Sequence, residues 1–215
     1  MNHHELLAAL EQADLYVVIT ESFCAGRSSL EVLEKTLAAG VRLVQMREKE
    51  MDGRSLYKLA LQYRRLTREA GALFIVDDRL DIALAVEADG VHLGQEDVPV
   101  QAARRIAPEL IIGASTHSRE EALEAQEAGA SYVNIGPIFP TQTKDVVPLG
   151  VEAIDLIVPH LYIPWTNMGG IKAANITQLV ARQARHPAVM TAVTAAPDVT
   201  GAARELRQLI SPGVK

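Results

Sequence analysis

The stretch LVQMREKE, Leu43 to Glu50, starts as an apolar run and ends in an amide, a guanidinium and an ammonium. Read as a β-strand, it places Leu43, Gln45, Arg47 and Lys49 on one face and Val44 and Met46 on the other, because successive side chains alternate. Two acidic stretches, VDDRLD and HLGQED, put Asp77, Asp78, Glu96 and Asp97 at the ends of apolar runs. Such oxygens suit Mg2+, which needs only one or two carboxylates when phosphates complete its shell. The same acids would equally serve as caps of the helices that follow them. In GPIFPTQTKD, the hydroxyls of Thr141 and Thr143 and the ammonium of Lys144 are phosphate donors, or the polar side chains of a solvated loop. In MGGIKAAN, Gly169 and Gly170 would let backbone N–H groups approach a phosphate ahead of a helix. Ser115 and His117 close another apolar run, and Thr191 sits in a last one.

Eight short stretches rich in Val, Ile and Leu must hold these residues. They begin near Leu15 (LYVVIT), Arg42 (RLVQMR), Leu73 (LFIVD), Gly90 (GVHLG), Leu110 (LIIGAS), Ser131 (SYVNIG), Leu161 (LYIPWTN) and Ala188 (AVMTAVT). Helical segments lie between them, among them SLYKLALQYRRLTREAG and SREEALEAQEAGA, where Ser118 and Glu121 form a capping-box pattern. Strict β-then-α alternation predicts a parallel sheet. Eight units in 215 residues predict a single-domain (β/α)8 TIM barrel over 1–215, with 1–14 as an N-terminal helical extension. An open doubly wound sheet is the competitor, but LYVVITESFCAGRSS lacks the glycine fingerprint of a dinucleotide site. In a barrel, chemistry is expected at the C-terminal ends of the strands, and the polar residues above collect there.

A hydrophobic content of 48% and a mean hydropathy of +0.08 suit a chain that buries roughly 70 to 75% of its unfolded surface. The single cysteine, Cys24, excludes an intrachain disulfide framework and reads as a packing residue. No apolar run approaches the roughly 20 residues of a membrane span, and the N-terminus lacks the pattern of an export signal, so the expected compartment is the cytoplasm. A net charge of −6 argues against a nucleic-acid surface. An anionic ligand would need a local site.

In order along the chain, VQMREK, the DD pair, GVHLGQED, GASTH, GPIFPTQTKD and MGGI resemble the thiamine phosphate synthase family, from about Leu15 to the final helix. The resemblance implies condensation of hydroxymethylpyrimidine diphosphate with thiazole phosphate, releasing pyrophosphate, with Mg2+ as cofactor and a homodimer as the assembly. It implies that Gln45, Met46, Arg47, Glu48, Lys49, Asp77, Ser115 and Lys144 meet the pyrimidine diphosphate, with Arg47, Lys49 and Lys144 stabilising its departing charge. It further implies that Asp78 and Asp97 bind Mg2+, and that Thr141, Gln142, Thr143, Gly170, Met190 and Thr191 meet the thiazole phosphate. The chain departs from the family pattern at Asp77, where the family has Asn, and at Thr191, where it has Ser. It departs again at IPWTNMGGI, usually aliphatic before the glycines, and at ARHPAV, which replaces a glycine-containing turn. A related tautomerase branch carries a His after strand six, where Pro137 stands here, and a catalytically silent thiamine-phosphate binder is the other alternative.

Overall fold

The structure is a computed structural model that describes residues 1–141 and 147–211. Among them, eight parallel strands alternate with helices: β1 (Tyr16–Ile19), β2 (Leu43–Met46), β3 (Leu73–Asp77), β4 (Gly90–Leu93), β5 (Ile111–Thr116), β6 (Tyr132–Ile135), β7 (Trp165–Asn167) and β8 (Ala188–Val189). The helices are α1 (His3–Gln12), α2 (Ser29–Ala38), α3 (Gly53–Ala70), α4 (Leu80–Ala85), α5 (Val100–Ile106), α6 (Arg119–Glu127), α7 (Glu152–Ile157), α8 (Ile176–Val180), α9 (Thr191–Thr194) and α10 (Val199–Ile210). The strands pair in the order β7-β6-β5-β4-β3-β2-β1-β8, and a parallel bridge between Asn167 and Pro187 joins the two ends. The fold is the expected (β/α)8 barrel.

Alternation along each strand sorts the core into two layers. Phe74, Val76, Val44, Met46, Val91, Ile112 and Val133 point outward and meet the helices. Tyr16, Leu43, Leu73, Ile75, Ile111, Tyr132 and Ala188 point inward, joined by Leu6 and Leu10 of α1, which closes the N-terminal end of the cylinder. Asn2 caps that helix: its side chain accepts the Glu5 N–H, and the Glu5 carboxylate accepts the Asn2 N–H.

Three local expectations differ from the structure. Strand seven begins at Trp165 rather than Leu161, because Pro164 supplies a carbonyl to Val133 N–H but has no N–H to donate. The last strand stops at Val189, and Thr191, expected on it, opens α9 instead. That short helix is tied to the loop after β1: the Thr194 hydroxyl donates to Phe23 O (2.8 Å), and Arg27 Nη2 donates to Thr194 O (2.9 Å). At α6, Ser118 Oγ accepts the Glu121 N–H as the pattern predicts, but the Glu121 carboxylate accepts the His117 N–H, one residue short of closing the box.

Candidate active site

The inward parity of β2 continues past its last residue. Arg47 N–H still donates to Ile19 O (2.9 Å), so the Arg47 side chain rises above Gln45 on the inner wall and reaches the C-terminal rim. Asp77 stands beside it for the same reason, two residues above inward-facing Ile75. Arg47 Nε lies 3.5 Å from Asp77 Oδ2, and Lys49 Nζ lies 2.9 Å from Asp78 Oδ2. Asp78 takes a left-handed backbone (φ 60°), which Asp tolerates better than most residues, and its N–H donates to His92 O. Its carboxyl is hydrogen-bonded to that of Asp97, which also accepts the Gly94 N–H at 2.7 Å. Neither aspartate provides a side-chain cap for α4 or α5.

The electrostatics follow from this crowding. Burial, then the charge of Asp78, pushes the Asp77 carboxyl up to about 7, against the pull of Arg47 and Lys49. Burial raises Asp97, and its hydrogen bond to Asp78 adds to the effect. Asp78 goes the other way: the Lys49 and Asp97 hydrogen bonds outweigh its burial and hold it low. Burial would lower Lys49, but its contact with Asp78 wins and raises it. Two facing carboxyls beside a single ammonium share a proton rather than both ionise. Among the described residues no group of three or more His, Cys, Asp or Glu could enclose a metal. A pair of carboxylates does fit a hard divalent cation whose other ligands are water and phosphate oxygens.

Beside this rim, Arg47, Ser115, Asn134, Thr141, Met168 and Met190 surround a cavity with a mixed polar and apolar wall. A wider recess of about 470 Å³ extends from Arg47 over Glu48, Lys49 and Thr20. The Glu48 carboxylate there accepts the Glu21 N–H at 2.7 Å. A recess of about 600 Å³, lined by residues of α7 and by Trp165, Arg182 and His186, includes none of Arg47, Lys49, Asp77, Asp78 and Asp97.

The fold therefore gathers Arg47, Lys49, Asp77, Asp78 and Asp97 at one rim, and Ser115, Thr141 and Met190 around the adjoining cavity. Gln45 is only 1% exposed and lies inside the cylinder, donating to Tyr16 Oη. The Met46 side chain is in the outer apolar layer. Gly170 (φ 63°) packs so closely on Pro140 O and Phe139 that a Cβ has no room. Gly169 O accepts the Phe139 N–H, which fastens the loop after β6 to the end of β7. Gln142, Thr143 and Lys144 lie outside the described residues. Sequence reading missed Asn134, which faces the cavity and accepts the Thr166 hydroxyl at 3.0 Å. It also missed Tyr16, His92 and Tyr132, buried beneath it. Inward parity on GVHLG and SYVNIG was the available signal.

Comparison with known proteins gives the family and agrees with the fold. A family model described as thiamine monophosphate synthase matches residues 15–193. The thiamine-phosphate synthase of Moorella thermoacetica is 45% identical over 205 residues, 94% of this chain and 98% of the relative. That of Pelotomaculum thermopropionicum is 41% identical over 208 residues, 95% of each. The solved thiamine phosphate pyrophosphorylase from Pyrococcus furiosus superposes with a TM-score of 0.88 at 41% identity, covering 94% of this chain and 98% of that one.

Proposed function

The chain belongs to the thiamine monophosphate synthase family of enzymes, and from that premise we propose that it condenses hydroxymethylpyrimidine diphosphate with thiazole phosphate to thiamine phosphate. The observation that carries the reading is the convergence of Arg47, Lys49, Asp78 and Asp97 on one rim beside a cavity. A diphosphate leaving group needs positive charge that is already in place when the bond breaks. Arg47 and Lys49 provide it here, each held by an aspartate before substrate arrives. Asp78 and Asp97 would hold Mg2+, whose charge would neutralise phosphate oxygens of the leaving group.

The reaction is the heterolysis of a carbon–oxygen bond. The electron pair leaves with the diphosphate, a pyrimidine methylene cation remains, and the lone pair of the thiazole nitrogen forms the new carbon–nitrogen bond. The cation must be shielded from water, and the apolar side of the cavity, Pro137, Met168 and Met190, suits a flat ring and excludes solvent. No nucleophilic side chain is required. Cys24, buried and pushed up to about 11 chiefly by that burial, is poorly suited to be one.

The test is direct incubation of purified protein with both substrates and Mg2+, following thiamine phosphate and pyrophosphate. Equal amounts of the two products, lost on chelation, are expected. No thiamine phosphate above the reaction lacking enzyme would overturn the proposal.

A further inference from the structure

Four hydrogen bonds cross the barrel interior in a single line. Gln45 Nε2 donates to Tyr16 Oη at 2.7 Å, and Tyr16 Oη lies 2.9 Å from Tyr132 Oη. Tyr132 Oη is 2.9 Å from His92 Nδ1, and His92 Nε2 is 2.9 Å from Ser115 Oγ. The five residues come from β2, β1, β6, β4 and β5, so the line ties together five strands. Both tyrosines are fully buried, and Gln45 and His92 nearly so; Ser115 alone borders the cavity. The rings pack as well as bond: Tyr132 stacks on His92 and meets the edge of Tyr16. Gly113 leaves the space that the Tyr132 ring fills, since a Cβ at that position would collide with it. A barrel interior is ordinarily filled with branched apolar side chains, so this polar line requires an explanation.

Counting protons gives the line a direction. The Gln45 N–H donates to Tyr16, so the Tyr16 proton has Tyr132 as its acceptor, and the Tyr132 proton has His92 Nδ1. His92 Nδ1 must then offer its lone pair, and Nε2 carries the ring proton and donates to Ser115 Oγ. The Ser115 proton is thereby turned away from His92 and toward the cavity. The opposite direction would need the Gln45 amide turned over, because with Nε2 toward Tyr16 the Tyr16 proton would confront the Gln45 N–H. A doubly protonated His92 would need the same turn.

We infer that Tyr16, Tyr132 and His92 are positioning residues that hold Ser115 as a hydrogen-bond donor to a proton-free acceptor on the substrate. The acceptor is a ring nitrogen of the pyrimidine rather than a phosphate oxygen. The cavity that Ser115 borders is apolar at Pro137, Met168 and Met190 and carries Arg47 on its wall, whereas Lys49, Asp78 and Asp97, the other groups that would hold the diphosphate and its metal, stand at the rim beside it. The identity of the ring rests on the function proposed above; the direction of the line does not.

Two measurements test this separately. In protein labelled with 15N at histidine, His92 is identified by the signal lost in His92→Gln. It should show a proton on Nε2 and a hydrogen-bonded lone pair on Nδ1, and Tyr132→Phe should remove the signature of that bond while the ring volume is kept. A proton on Nδ1 would overturn the inference whatever the enzyme catalyses. In steady-state kinetics, Tyr132→Phe and Tyr16→Phe should each lower kcat/KM for the pyrimidine diphosphate about tenfold, the effect of one misdirected hydrogen bond. The KM for thiazole phosphate should stay within twofold. Combined with Ser115→Ala, Tyr132→Phe should cost nothing more than Ser115→Ala alone, since it acts through that hydroxyl. Losses that multiply, or that fall equally on both substrates, would assign the tyrosines to packing only. Wild-type protein without synthase activity would refute the preceding proposal, and the histidine spectrum would still decide this one.

Discussion

Asp77 is the residue whose environment is most at odds with its charge. Its carboxyl is walled in by Arg47, Lys49, Asp78 and Asp97, and burial with the Asp78 charge raises it to about 7 from an ordinary 3.8. The folded form therefore binds the proton more tightly than the unfolded chain does, and stability falls as the pH climbs from about 4 through 7. Asp77→Asn keeps the shape and removes the ionisation. It should stabilise the fold at pH 8 by an amount on the order of 4 kcal/mol, seen as a higher thermal midpoint, and change little at pH 4. Melting curves of both proteins across that range check it, and a less stable variant at pH 8 would show that the Arg47 contact outweighs the burial cost. The same substitution should tighten pyrophosphate binding by removing a like charge from the rim. Arg47 itself is expected to matter more: Arg47→Ala should lower kcat by about 10² to 10³, the loss typical of a preorganised electrostatic partner, in a turnover assay at saturating substrates. Alternation alone made Arg47 and Lys49 legible in LVQMREKE. It did not reveal Asp77's partner, because an ion pair between β2 and β3 depends on register as well as on face.

The elements were legible where local pattern and tertiary demand agree. The Ser118 cap and the long amphipathic α3 are written in consecutive residues, and so is the alternation that separates inner from outer side chains in β2 and β3. AVMTAVT is different. Its pattern reads as a strand, but only Ala188 and Val189 pair with β1, and the remainder coils into α9 because Arg27 and the Thr194 hydroxyl dock it onto the β1 loop. No window of a few residues contains both partners of a contact spanning more than 160 positions. The docking also decides where Met190 and Thr191 stand. Arg27→Met should leave the Cys24 and Thr194 carbonyls without their guanidinium donor, costing about 1–3 kcal/mol. If α9 helps to form the thiazole phosphate pocket, KM for that substrate should rise several-fold while KM for the pyrimidine diphosphate holds. Equal changes in both would remove α9 from the site.

At the scale of the whole molecule, the cylinder has one end for stability and the other for chemistry. Leu6 and Leu10 of α1 fill the N-terminal end against Tyr16, Leu43 and Ile111, while the cations and aspartates occupy the opposite rim. Leu10 is fully buried, so Leu10→Ala should destabilise the fold by about 2–5 kcal/mol through lost contacts and the cavity left behind. Pyrophosphate with Mg2+, bound only by the folded form, should stabilise by about 2.7 kcal/mol at a hundredfold excess over Kd. For a chain of this size that is a rise of roughly 5 to 10 °C. The two effects share no partner: Leu10 packs beneath the tyrosines, whereas the phosphates would be met by Arg47, Lys49 and any Mg2+ that Asp78 and Asp97 would hold. They should therefore add, and the stabilisation by pyrophosphate should be the same in Leu10→Ala as in the parent to within about 0.5 kcal/mol. Thermal denaturation of both proteins with and without pyrophosphate and Mg2+ measures this. A stabilisation that collapses in Leu10→Ala would mean that the plug at the base of the barrel sets the geometry of the rim, with the buried tyrosines between them as the connection.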